Sequence, residues 1–186
     1  MQTDNSQSPN QSGPDAESGI ESQIGKNMIF VAWIIAIGLL TWIFGGWEEK
    51  QYNPNQTPDS LRMGEVIEVK LQKNRGGHYV VSGNINRTPV TFLVDTGATS
   101  VAVPGSLASD IGLRRGAQQK FYTANGVSTG YLTTIDELTI GEITLYNVKA
   151  SIAPNMAGNE VLLGMSALGQ LEYTQKAGVL TLRQAY

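Results

Sequence analysis

The chain has 186 residues, a formal net charge of −3 and a pI of about 5.1, with no block of Lys or Arg. That balance argues against a nucleic-acid partner, and the length leaves room for one ordinary domain plus extra segments. There are no cysteines, so disulfides and thiolate metal sites are excluded, and the single histidine, His78, makes neither a Ser-His triad nor a zinc site by itself.

Residues 1–27 are rich in Gln, Ser, Asn, Asp and Gly and almost devoid of large apolar side chains. Such a segment buries too little surface to offset its ordering entropy, which predicts a disordered polar tail. Residues 28–44 then run without a charge, and the run continues through Gly45-Gly46 to Trp47. About 20 residues make about 30 Å of helix, enough to cross the hydrocarbon core. Trp42 and Trp47 fall where an interfacial aromatic belt sits. An acidic leader is a poor basic n-region, the run is long, and no small-x-small site follows it, so the segment reads as an uncleaved anchor rather than a signal peptide. It is apolar all round, without the stripe of a soluble core helix. Residues 28–47 are therefore expected to cross a lipid bilayer once. Lys26 on one side and Glu48, Glu49 and Lys50 on the other nearly balance in basic charge, but the short leader can stay in the cytosol while the long domain is translocated. Residues 48–64, with two prolines, two asparagines and no apolar period, read as a linker.

Residues 65–186 read as short β segments throughout. Val66-Ile67-Glu68-Val69-Lys70-Leu71 is a first strand and His78-Tyr79-Val80-Val81-Ser82-Gly83 a second, with His78 a surface residue at its start. A turn within 84–90 leads into Phe92-Leu93-Val94. A short helix is predicted at 106–111, stopped by Gly112. Asn125-Gly126 centres a hairpin signal. The alternating runs 132–140 and 143–152 form a second hairpin about Gly141-Glu142, and Gly178-Val179-Leu180-Thr181-Leu182-Arg183 closes the domain. Many short strands with regular turns imply a barrel or a sandwich.

The run Phe92-Leu93-Val94-Asp95-Thr96-Gly97-Ala98 places a carboxylate at the end of a buried strand, followed by a hydroxyl and a glycine. A carboxylate leaving such a strand into a tight Gly turn is rigid, partly desolvated and free to meet a second carboxylate. Two such groups share a proton, and one acts as base while the other acts as acid. Asp, Thr and Gly are also ordinary turn residues, so the context matters. Val101-Ala102-Val103 gives an apolar flank on the far side, and about 65 residues later comes Val161-Leu162-Leu163-Gly164-Met165-Ser166-Ala167-Leu168.

These motifs, in this order, resemble the aspartic proteases of the retroviral-like (retropepsin) branch, and the resemblance spans 65–186. It implies an all-β, single-domain closed barrel with one short helix, here preceded by a transmembrane helix. It implies a catalytic Asp95, with Thr96 bracing the two loops across a dimer axis, Gly97 admitting the substrate backbone and Ala98 completing the loop. Asn125, Gly126 and Val127 match the tip of the flap that closes over substrate. Leu162, Leu163 and Gly164 match the second-half loop, which threads behind the catalytic loop and opens a short helix. Retroviral enzymes pair an acidic residue two positions after the motif glycine with an arginine after the second-half glycine. Here those positions are Thr99 and Met165, so both partners are absent together.

The other aspartates outside the tail, Asp59, Asp110 and Asp136, lack the setting of Asp95 and suit surface charges. A catalytic pair therefore calls for a second copy of Asp95 in a twofold homodimer. The implied activity is hydrolysis of a polypeptide substrate by a water activated between the two carboxylates, with no cofactor and no metal. Many bacterial proteins of this type resemble membrane-anchored proteases facing the periplasm, so the expected location is the bacterial inner membrane with the domain in the periplasm. A second reading stays open: the same fold without turnover, as a peptide-binding or dimerisation module.

Overall fold

The computed structural model describes residues 18–123 and 126–185. The chain divides into two compact units, Met1–Gly46 and Trp47–Tyr186. Helix α1 runs Ser18–Tyr52 and contains a stretch, Met28–Tyr52, long and apolar enough to cross a membrane. Its apolar side chains, among them Ile34, Ile37, Leu40 and Trp42, are exposed. The helix begins ahead of the apolar run and ends beyond it, because a nucleated helix propagates into flanking residues at little cost. Of the predicted polar tail, residues 1–17 lie outside the described residues.

The second unit is mostly strand. Among the described residues a four-stranded sheet has the order β1-β2-β11-β10, where β1 is Asp59–Met63, β2 Val66–Gln72, β10 Glu172–Lys176 and β11 Val179–Ala185. A seven-stranded sheet has the order β3-β4-β9-β5-β8-β7-β6. Its members are β3 Val80–Ile85, β4 Thr88–Val94, β5 Val101–Pro104 and β6 Gln118–Thr123. The remaining three are β7 Gly126–Ile140, β8 Ile143–Ala153 and β9 Glu160–Leu163. β3 also pairs with the far end of β7, at Asn84 with Thr139 and Ile85 with Leu138, so the sheet closes on itself. Closure brings the backbones together at Gly83, where a Cβ would collide with the Thr139 carbonyl oxygen. The barrel is therefore closed, as the motifs implied.

The barrel interior follows from the pleat. In β4, Val90 and Phe92 are buried while Thr91 between them is less so, and Phe92 sits among Val81, Val161 and other fully buried aliphatics of one continuous core. Alternation at 132–140 and 143–152 gives β7 and β8, joined at Gly141 with φ +57°. The predicted helix is α2, Gly105–Asp110, and Gly112 takes φ +76° just after it. The second-half segment opens into the short helix that the resemblance implied, α3, Met165–Leu168, so the described residues of the domain hold two short helices where the fold class expected one.

The predicted linker 48–64 is largely structured. Asn53 and Asn55 are buried, Asn55 forms a parallel bridge with Val81, and β1 pairs with β2 through Ser60 and Val69 among others. Polar residues without an apolar period read as linker in a sequence, and only the partners contributed by β2 and β3 make them part of the fold.

Candidate active site

Asp95 follows directly on β4. β4 runs parallel to β9, with Phe92 opposite Val161, Leu93 opposite Leu162 and Val94 opposite Leu163, and β5 lies antiparallel to β9 on its other side, with Ala102 opposite Leu162. β9 therefore threads between the strand that enters the Asp95 loop and the strand that leaves it. Apolar residues at 92–94, 101–103 and 161–163 build this three-strand core, which is why the loop between them leaves from a rigid base.

Within the loop, the Asp95 Oδ1 accepts a hydrogen bond from the Gly97 N–H at 2.9 Å, and the Asp95 carbonyl accepts from the Ala98 N–H at 3.2 Å. The Asp95 N–H donates to the Leu163 carbonyl at 3.1 Å. Asp95 is half-buried, Thr96 and Gly97 are exposed, and Ala98 is half-buried. The carboxylate is thus aimed by a backbone N–H yet open to solvent on one side, the arrangement that a group meeting water and a substrate carbonyl requires.

The second loop is tied to the first by main-chain bonds. Met165 N–H donates to the Ala98 carbonyl at 2.8 Å and Ser166 N–H to the Thr99 carbonyl at 3.0 Å. Gly164, buried, lies so close that a Cβ there would come within 2.7 Å of the Ala98 carbonyl oxygen and nearer still to that of Ser100. Thr99 and Met165, where the acid and arginine pair is missing, serve through their backbones. Ser166 adds a side-chain clasp: its Oγ donates to the Lys149 carbonyl at 2.6 Å and accepts from the Val101 N–H at 2.9 Å. Neither Ser166 nor Asn55 carried a signal in the sequence, because a lone Ser or Asn is defined only by the backbone groups around it.

β6 and β7 form the hairpin predicted around Asn125-Gly126. Residues 126–130 of β7 pair only with β6, Tyr131 pairs with both β6 and β8, and β7 beyond it pairs with β8. The hairpin is a two-stranded ribbon standing out from the barrel. Gly126 has φ +109° and Val127 is 61% exposed. Asn125 lies outside the described residues. Asp110 and Asp136 are exposed on α2 and β7.

Comparison with known proteins agrees with this architecture. Residues 81–170 match the family described as "gag-polyprotein putative aspartyl protease". A retropepsin-like aspartic protease from Rickettsia conorii superposes with a TM-score of 0.56 at 27% identity, covering 69% of this chain and 96% of that one. An uncharacterized protein from the cobV 5'region of a Sinorhizobium species is 37% identical over 112 residues, which is 58% of this chain and 48% of the relative. An uncharacterized protein of Rickettsia prowazekii (strain Madrid E) is 27% identical over 108 residues, 56% of this chain and 46% of the relative. The chain thus spans about half the length of the curated relatives it matches. A closed β barrel, an Asp-Thr-Gly turn seated on a parallel strand pair and these matches define one class. The folded domain has the fold of the retropepsin-like aspartic proteases and is similar to them in sequence over residues 81–170.

Proposed function

We propose that the chain is a single-pass, membrane-anchored aspartic endopeptidase whose catalytic dyad is made of Asp95 from each of two copies. The observation that carries this reading is the seating of Asp95. It leaves a rigid β4–β9 pair, is oriented by the Gly97 N–H at 2.9 Å and stays accessible to solvent. One Asp95 carboxylate takes a proton from a water shared by the pair, and that water attacks the scissile carbonyl. The other, protonated, Asp95 polarises the carbonyl and later protonates the leaving nitrogen. The shared proton belongs to the pair, so a pH–rate profile reports dyad values, with activity favoured at mildly acid pH. Thr96 braces the two loops across the axis, and the ribbon bearing Asn125, Gly126 and Val127 closes over an extended peptide and excludes water.

The exposed apolar stretch Met28–Tyr52 supports anchoring in a bilayer, and the proposed setting is the bacterial inner membrane with the domain in the periplasm. The test is cleavage of a diverse peptide pool by the full chain in detergent micelles, across about pH 4 to 7, beside Asp95→Asn. Wild-type cleavage that drops at least about 10³-fold in the variant is expected, from the scale of acid–base catalysis. Cleavage that survives in Asp95→Asn, or its absence from a folded, dimeric wild type, overturns the proposal.

A further inference from the structure

The stretch after Tyr52 looks like a tether, yet Asn53 and Asn55 are only 5% and 3% exposed. The side-chain amide of Asn55 is fully engaged. Its Oδ1 accepts from the Gln72 N–H at 2.6 Å, and its Nδ2 donates to the carbonyls of Gln72 and Val80 at 2.9 and 2.7 Å. The Asn55 carbonyl accepts from the Ser82 N–H at 3.1 Å, and the Asn55 N–H donates to Asn53 Oδ1 at 3.0 Å. Asn53 Nδ2 in turn donates to Ser82 Oγ at 2.9 Å.

The partners identify what is being held. Gln72 ends β2 in one sheet and Val80 begins β3 in the other. One asparagine therefore stitches two strand ends that do not pair with each other, doing with a side-chain amide what a strand does with its backbone. β3 is the neighbour of β4: Val80 lies opposite Leu93, Val81 opposite Phe92, and the Tyr79 carbonyl accepts the Val94 N–H at 2.9 Å. Val94 is the residue before Asp95. A second thread runs through β9, where the Tyr52 hydroxyl is hydrogen-bonded to Glu160 and Leu163 receives the Asp95 N–H. Of the two strands that seat Asp95, β9 is thus gripped directly by Tyr52, and β4 through its neighbour β3, which Asn53 and Asn55 hold.

Resting on the protease reading, we propose that Tyr52–Asn55 is a positioning latch for Asp95, so that turnover requires this segment to be docked between β2 and β3. A cut on the carboxyl side of Asn55, which frees the rest of the domain from the anchor, then acts as an off-switch rather than as release of an active enzyme. The acting group is the Asn55 amide, and it works through β3 and β4 without touching substrate.

The experiment compares full-length wild type and Asn55→Ala in detergent micelles, well below the melting temperature of either. It reads kcat and KM on a cleaved peptide together with backbone amide exchange. The latch predicts that kcat falls about ten-fold or more, the scale of a small misplacement at a reacting group, with KM little changed and the Val94 and Asp95 amides exchanging faster. A variant that melts earlier but keeps wild-type kcat and wild-type exchange at Val94 and Asp95 overturns the latch and leaves Asn55 a purely structural residue. Should wild type cleave nothing, the protease reading fails, and exchange at Val94 and Asp95 still decides whether the latch reaches that loop. Should Asn55→Ala not fold, Asn53→Ala, which removes only the Ser82 and Asn55 bonds of its side chain, decides by the same readouts.

Discussion

Replacing Gly164 by alanine tests the packing of the two loops directly. The added Cβ would lie 2.7 Å from the Ala98 carbonyl oxygen and closer still to that of Ser100, against about 3.3–3.6 Å for an ordinary carbon–oxygen contact. Both obstacles are backbone, so no side chain can swing away, and the loops must separate by roughly an ångström or less. Overpacking of this kind costs about 1–3 kcal/mol. The separation also stretches the bonds from Met165 to Ala98 at 2.8 Å and from Ser166 to Thr99 at 3.0 Å, each contributing about 1 kcal/mol. The expected loss is about 3–5 kcal/mol, or a melting temperature lower by about 10 °C or more for a chain of this size. Because the displaced loop carries Asp95, peptide cleavage should fall about 10²-fold even at temperatures where the variant is folded. Differential scanning calorimetry and a cleavage assay on the same preparation measure both effects. A Gly164→Ala protein that melts within about 1 kcal/mol of wild type refutes the close approach on which the reasoning stands.

Glu68, 4% exposed, bonds Arg183 at 2.7 Å and Lys70 at 3.2 Å, and the hydrogen bond from Arg183, followed by that from Lys70, holds its carboxyl below the usual range. A folded-state value below the unfolded one means that this stability is present above the unfolded pKa and lost as pH falls through the folded value. Urea titrations should therefore show wild type losing stability below about pH 4.5. Glu68→Gln should be weaker at pH 7 by about 1–2 kcal/mol, a buried-pair cost discounted for half-exposed partners, with the gap to wild type closing in acid. Ser166→Ala leaves the Val101 N–H and Lys149 carbonyl without their clasp and should cost about 1–3 kcal/mol by chemical denaturation. Arg62 and Glu142 pair at 3.1 Å with side chains 57% and 49% exposed, so Arg62→Ala should shift stability by no more than about 0.5 kcal/mol in the same assay.

Much of the barrel was legible because its cues are local. Alternation at 132–140 and 143–152, the glycine at 141 and the apolar triplets at 92–94 and 161–163 each act over a few residues, and each corresponds to a strand or turn in the fold. β1, β10 and the buried asparagines escaped notice. β10 reads Glu-Tyr-Thr-Gln-Lys with every residue exposed, so no hydrophobic period marks it, and it is a strand only because β11 offers it a ladder. The candidate site divides in the same way. Asp95, Thr96 and Gly97 stand out as a motif, whereas the Ser166 clasp and the Asn55 stitch are ordinary polar residues until the fold supplies their partners.

The sequence alone determined the chemistry on offer: one Asp-Thr-Gly turn on an apolar strand, a second apolar-apolar-Gly segment about 65 residues on, and an uncharged run of membrane-spanning length near the amino terminus. Tertiary structure decided how that chemistry is held. It placed β9 between β4 and β5, brought Gly164 against the Ala98 and Ser100 carbonyls, and drew the residues after Tyr52 into the seam between two sheets. The division has a physical cause. Side-chain period and turn chemistry are properties of neighbours along the chain, but a buried amide or hydroxyl gains its stabilising value only from donors and acceptors that distant strands carry to it.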